Sequence, residues 1–200
     1  MLNSQILEKL NQLEASGQWE ECIRQLLALL NKEKENEEIF HRLGRLYQRL
    51  NNTEKAESYY EKSLRINKNR PNTLNNLALI KLNNLDGTRA LLLIQKALYL
   101  AKDNQKYQAL LYRTACEIFL YQCKPELASD CAKILIQHEP QGNGYTNYAL
   151  TLRQQNRLHA ALRSQTLSLS RGTTNKSLNH ESLISSIGCA KENIEETVNH

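Results

Sequence analysis

The sequence predicts an all-α protein made of repeated helix pairs, and three observations carry that prediction. Small residues return at intervals of 33 to 38 residues, which is the spacing of a helical repeat protein. This first series is Cys22, Ala56, Ala90, Ala128 and Ala161. A second series of small residues lies twelve positions before the first: Gly44, Ala78, Cys116 and Ala149. A series of bulky residues lies four positions before the second: Ile6, Phe40, Leu74, Tyr112 and Tyr145. The chain also has only seven Gly and three Pro, which argues against strands and linkers.

Each repeat is expected to form two antiparallel helices, because apolar residues recur at spacings of three and four. The predicted pairs cover approximately residues 3–36, 37–70, 71–108, 109–141 and 142–175, so that residues 1–175 form one solenoid. The first pair breaks at Gly17, and Leu10 is larger than its register allows, which an N-terminal repeat tolerates. The second pair is the most regular. Its turn is predicted at Asn51, Asn52 and Thr53.

The later pairs carry their own start and stop signals. Pro71 opens the third pair at a position where its missing N–H costs nothing. Lys81 departs from the pattern there, since Tyr47 holds the same place one repeat earlier. Four extra residues near 102–105 are expected to lengthen a helix by about one turn. Pro125 marks the turn of the fourth pair and Pro140 its end.

The fifth pair is expected to run from Gly142 and to turn at Asn156. Beyond it, residues 176–200 are predicted to be a capping helix or a truncated sixth repeat. The pattern does not decide between them. Because a clear solvating cap is missing from the pattern, the chain is also a candidate N-terminal piece of a longer protein.

Composition favours a cytoplasmic protein with free thiols. The five cysteines are an odd number without the spacing of a metal site, and Cys22 and Cys116 occupy small-residue positions where packing explains them. No segment is long and apolar enough to cross a bilayer. The net charge of +5 is uneven, since eight glutamates lie in the first forty residues, but no dense basic run indicates nucleic acid.

The three registers resemble the tetratricopeptide repeat, a pair of antiparallel helices about 34 residues long. The resemblance covers roughly residues 3–170. Within the family, the repeats of this chain resemble those of the O-linked N-acetylglucosamine transferase type. It implies a right-handed α-solenoid of about five helix pairs plus a C-terminal helix. In such solenoids the first helices line a concave groove that takes extended peptides or a partner's helix.

By this resemblance, the groove would be lined by polar and basic residues of the first helices. These are His41, Arg45, Arg49, Asn72, Asn76, Arg113, Asn143, Asn147 and Arg153. Asn76 and Asn147 match asparagines that grip a peptide main chain in the transferase type, since an amide both donates and accepts. The other interpretation of these positions is a hydrated helix face. The clamp that binds chaperone tails is not expected, because Leu110 and Thr114 occupy two of its basic positions.

The function predicted from these features is a protein–protein interaction scaffold that docks an extended, acidic peptide or a partner helix in its groove. The end repeats are also candidates for self-association. The alternative is the N-terminal, substrate-recruiting arm of a larger glycosyl-, sulfo- or methyltransferase. Catalytic, cofactor and metal signatures are missing from the sequence, so no enzyme activity, no cofactor and no metal are predicted within these 200 residues.

Overall fold

The computed structural model describes residues 4–31, 35–138, 143–155, 157, 160–161, 163–164 and 166–167. Within these residues the chain forms nine α-helices and no strand. The all-α fold class is therefore confirmed. The predictions for Pro140, Gly142, Asn156 and residues 176–200 lie outside the described residues.

The chain divides into two compact units, Met1–Leu100 and Ala101–His200. The first unit holds three helix pairs: α1 (Ser4–Ala15) and α2 (Trp19–Leu30), α3 (Glu37–Arg49) and α4 (Thr53–Ile66), and α5 (Pro71–Asn83) and α6 (Gly87–Leu100). The second unit holds α7 (Gln105–Tyr121), α8 (Pro125–His138) and α9 (Asn143–Gln154). The four extra residues lie in α7, which has 17 residues where α3 and α5 have 13.

Asparagine caps start several of the helices. The side chains of Asn36, Asn52 and Asn104 accept hydrogen bonds from backbone N–H groups in the first turns of α3, α4 and α7. These N–H groups have no partner inside their own helix, so each cap satisfies donors that would otherwise stay unpaired. Pro71 begins α5, as predicted.

The turn inside each of the first four pairs uses one residue with a left-handed backbone. Gly17, Asn51, Leu85 and Cys123 have φ angles of 73°, 56°, 63° and 54°. In every case the N–H of the following residue bonds back to the carbonyl five positions earlier, as Asp86 does to Lys81 at 2.8 Å. This hydrogen bond closes the first helix of the pair. Glycine and asparagine tolerate this backbone well, whereas leucine does not.

We therefore expect Leu85→Gly to raise the free energy of unfolding by about 1 kcal/mol, because glycine adopts positive φ without the steric cost that leucine bears. Little packing is lost, since the side chain of Leu85 is largely exposed. Urea denaturation of the two proteins measures the difference. Asn51 holds the equivalent turn position one repeat earlier. Asn51→Leu would put leucine on the same left-handed backbone and is expected to lower stability by a similar amount. A loss of stability in Leu85→Gly would contradict this.

The core of the first unit is a strip that follows the predicted registers. Leu10 and Cys22 are fully buried in one cluster, with the Cys22 thiol 3.8 Å from the carbonyl of Leu10. Ala56 and Tyr60 are fully buried in a second cluster. Burial raises the pKa of the Cys22 thiol to about 11, so this cysteine behaves as a small apolar side chain.

The second unit packs α9 closely on α8. Gly144 is buried, and a Cβ atom at this position would lie 2.7 Å from the backbone nitrogen of Ile136. Only glycine permits so close an approach of two helix backbones. Gly144 lies in the first turn of α9.

Candidate functional site

Charged side chains join the first helices of the three pairs in the first unit. Nη1 of Arg42 on α3 donates to Asn11 and to Glu14 on α1, each at 2.9 Å. Its Nε donates to Glu38 at 2.9 Å. Because these three acceptors surround it, the Arg42 side chain is only 12% exposed. Arg42 is therefore a structural link between α1 and α3.

Arg70, the residue before α5, continues the same network. Its guanidinium bonds Glu37, and its Nη2 lies 2.5 Å from Glu38 on α3. Burial by itself would raise the pKa of the Glu38 carboxyl, but its bonds to Arg70 and Arg42 outweigh burial and lower that pKa. The Glu38 carboxylate is thus held ionised between two arginines. We call the surface formed by α1, α3 and α5 around this network the first-helix face.

Two arginines of this face keep contact with solvent. Nη2 of Arg45 bonds Glu14 at 2.5 Å, but its side chain remains 41% exposed. Arg49, the last residue of α3, is exposed, and its guanidinium carbon lies 5.9 Å from the centre of the Trp19 ring. Arg45 and Arg49 are one helical turn apart and lie on the same side of α3.

His41 lies inside the protein and not on a groove surface. It is 4% exposed, and its Nδ1 is 2.8 Å from the hydroxyl of Thr73 on α5. Burial, together with the charge of Arg70, lowers the pKa of His41 to about 4. The neutral imidazole therefore joins the second pair to the third.

The amides of α5 sit beside this contact. Nδ2 of Asn76 donates to the Tyr60 hydroxyl at 3.1 Å, and that hydroxyl donates to Gln48 at 2.9 Å. Asn72 and Asn76 are half-buried. The bond to Tyr60 thus occupies one N–H of the Asn76 amide. It does not use the second N–H or the side-chain carbonyl oxygen.

The remaining predicted groove residues belong to the second unit. Arg113 on α7 is half-buried, Asn147 on α9 is buried, and Arg153 at the end of α9 is exposed. The side chain of Asn143 lies outside the described residues. Thr114 is buried and its hydroxyl donates to the carbonyl of Leu110 at 3.5 Å, so neither residue resembles a basic clamp position.

The ion pairs of the first-helix face were not predicted from the sequence. A usable signal was present, because the partners lie close to one repeat apart: 28 and 31 residues separate Glu14 from Arg42 and Arg45. The separation is 32 residues for Glu38 and Arg70. Opposite charges at about the repeat length predict contacts between neighbouring first helices.

Within the described residues, no helix is both long and apolar enough to span a bilayer. The same part of the chain holds no group of three His, Cys, Asp or Glu side chains that could bind a metal ion. The chemistry available on the first-helix face is thus that of arginines, amides and a few carboxylates. Such groups recognise charged and polar ligands by hydrogen bonding.

The described helices follow one another as helix pairs, and residues 37–70 match the family model of the tetratricopeptide repeat. Solved structures share the fold. A chain of the APC/C hetero-tetramer Cut9-Hcn1 is 19% identical with a TM-score of 0.78, over 88% of this chain and 34% of that one. This chain therefore spans about a third of that relative's length.

Two further structures resemble the chain over most of both lengths. PilF of Pseudomonas aeruginosa is 14% identical with a TM-score of 0.73, over 95% of this chain and 90% of that one. A thermophilic TPR protein of Thermus thermophilus, TTC0263, is 14% identical with a TM-score of 0.69, over 92% and 97%. No curated protein matches the sequence. Proteins with the tetratricopeptide fold are generally scaffolds for protein–protein interaction.

Proposed function

We propose that this chain is an interaction scaffold whose first-helix face docks an extended, acidic segment of a partner protein. The observation that carries the proposal is the exposure of Arg45 and Arg49 on one side of α3. Extended acidic segments offer carboxylates at short intervals, and guanidinium groups bind carboxylates through paired hydrogen bonds.

The charge balance of the face supports an anionic ligand. Glu37 and Glu38 are occupied by Arg70 and Arg42, so these four residues compensate one another. Arg45 shares Glu14 with Arg42. The guanidinium of Arg49 lies over the Trp19 ring. The exposed layer of the face therefore carries excess positive charge.

Amides beside the arginines supply contacts that do not depend on ligand sequence. Asn72 and Asn76 are half-buried on α5, and Asn76 keeps an N–H and a carbonyl oxygen beyond its bond to Tyr60. Both groups suit the N–H and C=O of an extended main chain. We propose this role for Asn76, and for Asn147 separately in the second unit, as in the transferase-type repeats.

The test is a titration of a fluorescent peptide of about ten residues in which Glu alternates with Ser and Gly, at two salt concentrations. Arg45→Gln combined with Arg49→Gln should weaken binding about tenfold, since each exposed ion pair contributes up to about 1 kcal/mol. The loss should shrink at high salt because exposed charges are screened.

Arg24→Gln combined with Arg65→Gln is the matched control. Both residues are exposed on second helices, and the change in net charge is the same. The control variant should bind almost as well as the wild type. Equal weakening in both double variants would mean that net charge, and not the first-helix face, governs binding, and the proposal would be wrong.

We also propose a cytoplasmic location. Cys22, Cys116, Cys123 and Cys131 are free thiols in the described part of the chain, which suits a reducing compartment. Fractionation of cells that produce the chain tests this. Recovery from an oxidising compartment with these thiols paired would contradict it.

A further inference from the structure

The second helix of the third pair carries an unusual row of exposed apolar side chains. Leu92 and Tyr99 on α6 are 62% and 74% exposed, and Leu85 in the preceding turn is 73% exposed. The three residues are spaced seven positions apart, which is about two helical turns. Leu92 and Tyr99, both within α6, therefore lie on one line along the helix. We call these three residues the α6 row.

The preceding repeat shows that the fold does not require this row. The residues 34 positions earlier are Asn51, Ser58 and Arg65, and all three are exposed and polar. Leucine at position 85 also adopts the left-handed backbone that asparagine at position 51 tolerates better. The third pair thus bears a conformational cost to present apolar groups to solvent, which indicates a role in binding.

The charged side chains within α6 have one sign. Helix α6 contains two basic residues, Arg89 and Lys96, and no acidic residue. Each lies three or four positions from Leu92 or Tyr99, so the basic and apolar side chains are neighbours on the same exposed face. Asp86 caps the start of α6 and pairs with Arg89 at 3.4 Å. Lys96 lies about two helical turns beyond Arg89.

We propose that the α6 row binds an acidic amphipathic helix of a partner protein. Apolar groups repeated every two turns match the apolar stripe of another helix, which repeats with the same period. The neighbouring Arg89 and Lys96 match glutamates that flank such a stripe. This surface belongs to a second helix, so it is separate from the first-helix face and does not depend on the function proposed above.

The test uses the full chain and a designed helical peptide of about 18 residues, with leucines on one stripe and glutamates beside it. Fluorescence anisotropy should show binding that weakens with salt. The variant Leu92→Ser combined with Tyr99→Ser removes two apolar groups of the row without changing the net charge and should weaken binding at least tenfold. Circular dichroism should remain unchanged, since both side chains are exposed.

A matched variant and a matched peptide keep the proposal falsifiable. Leu127→Ser combined with Tyr121→Ser removes the same two side-chain types at exposed positions of the second unit and should leave binding intact. A peptide with lysines in place of the glutamates should bind at least tenfold more weakly. Equal binding of both peptides, or of the wild type and the α6 variant, would overturn the proposal. Sedimentation in which the α6 variant loses self-association without losing peptide affinity would assign the row to a second copy of the chain and would also overturn it.

Discussion

Replacing Gly44 with leucine is expected to destabilise the protein by about 3 kcal/mol, the upper end of the usual cost of overpacking. A Cβ atom at this position would lie 2.5 Å from Cδ1 and Cε1 of Tyr60. The ring cannot move aside, since Tyr60 is fully buried and its hydroxyl is held by Gln48 and Asn76. Urea denaturation monitored by circular dichroism measures the loss.

A smaller change at the same position separates steric clash from helix propensity. Gly44→Ala should also destabilise, although alanine in a helix interior is favoured over glycine by about 1 kcal/mol. In a Tyr60→Leu background the clash is removed, so Gly44→Ala should become neutral or stabilising. Equal destabilisation in the two backgrounds would show that Tyr60 is not the reason for the glycine.

Acidification from pH 7 to pH 5 is expected to cost the wild-type protein about 2 kcal/mol through His41. The pKa of His41 is about 4 in the folded protein and 6.5 when unfolded, so the unfolded chain binds the proton first. Stability contributed by the neutral imidazole is therefore complete above pH 6.5 and is lost as the pH falls towards 4, about 3 kcal/mol in total. Urea denaturation at several pH values measures this slope.

The groups around His41 decide how the slope is assigned. Burial is the largest cause of the low pKa of His41, and the positive charges of Arg70, Arg45 and Arg42 lower it further. The Glu38 carboxylate acts in the other direction and raises that pKa. The pKa of Glu38 itself lies below its ordinary value of 4.5, so Glu38 adds a loss of stability only below about that pH. His41→Gln, which cannot titrate, should show little dependence between pH 7 and pH 5. An unchanged slope in this variant would contradict the assignment.

The repeat registers predicted the fold because they record local helix packing. The turns after Gly17 and at Asn51 follow from backbone preferences that a single residue displays. The four extra residues before Tyr112 could be placed as a longer helix for the same reason, since a whole turn keeps the apolar face in line. What depends on local spacing was visible in the sequence.

Contacts between repeats were harder to predict, because they depend on which side chains meet across a helix pair. Lys81 appeared as a departure from the pattern, but it bonds Glu57 on α4. His41 has the position of a groove residue and is instead buried against Thr73. Gly44 belongs to the second small-residue series, but the sequence did not identify Tyr60 as its neighbour.

The central claim is that the exposed arginines of the first-helix face bind an acidic segment, and Glu14→Gln tests it most directly. Glu14 holds both Arg42 and Arg45, so it competes with any carboxylate of a ligand for Arg45. Removing its charge should strengthen binding of the Glu-rich peptide about threefold to fivefold, in line with one exposed ion pair. Glu57→Gln removes the same charge from the pair with Lys81 and should change affinity less. Unchanged or weaker peptide binding by Glu14→Gln, with its helical content intact, would contradict the account.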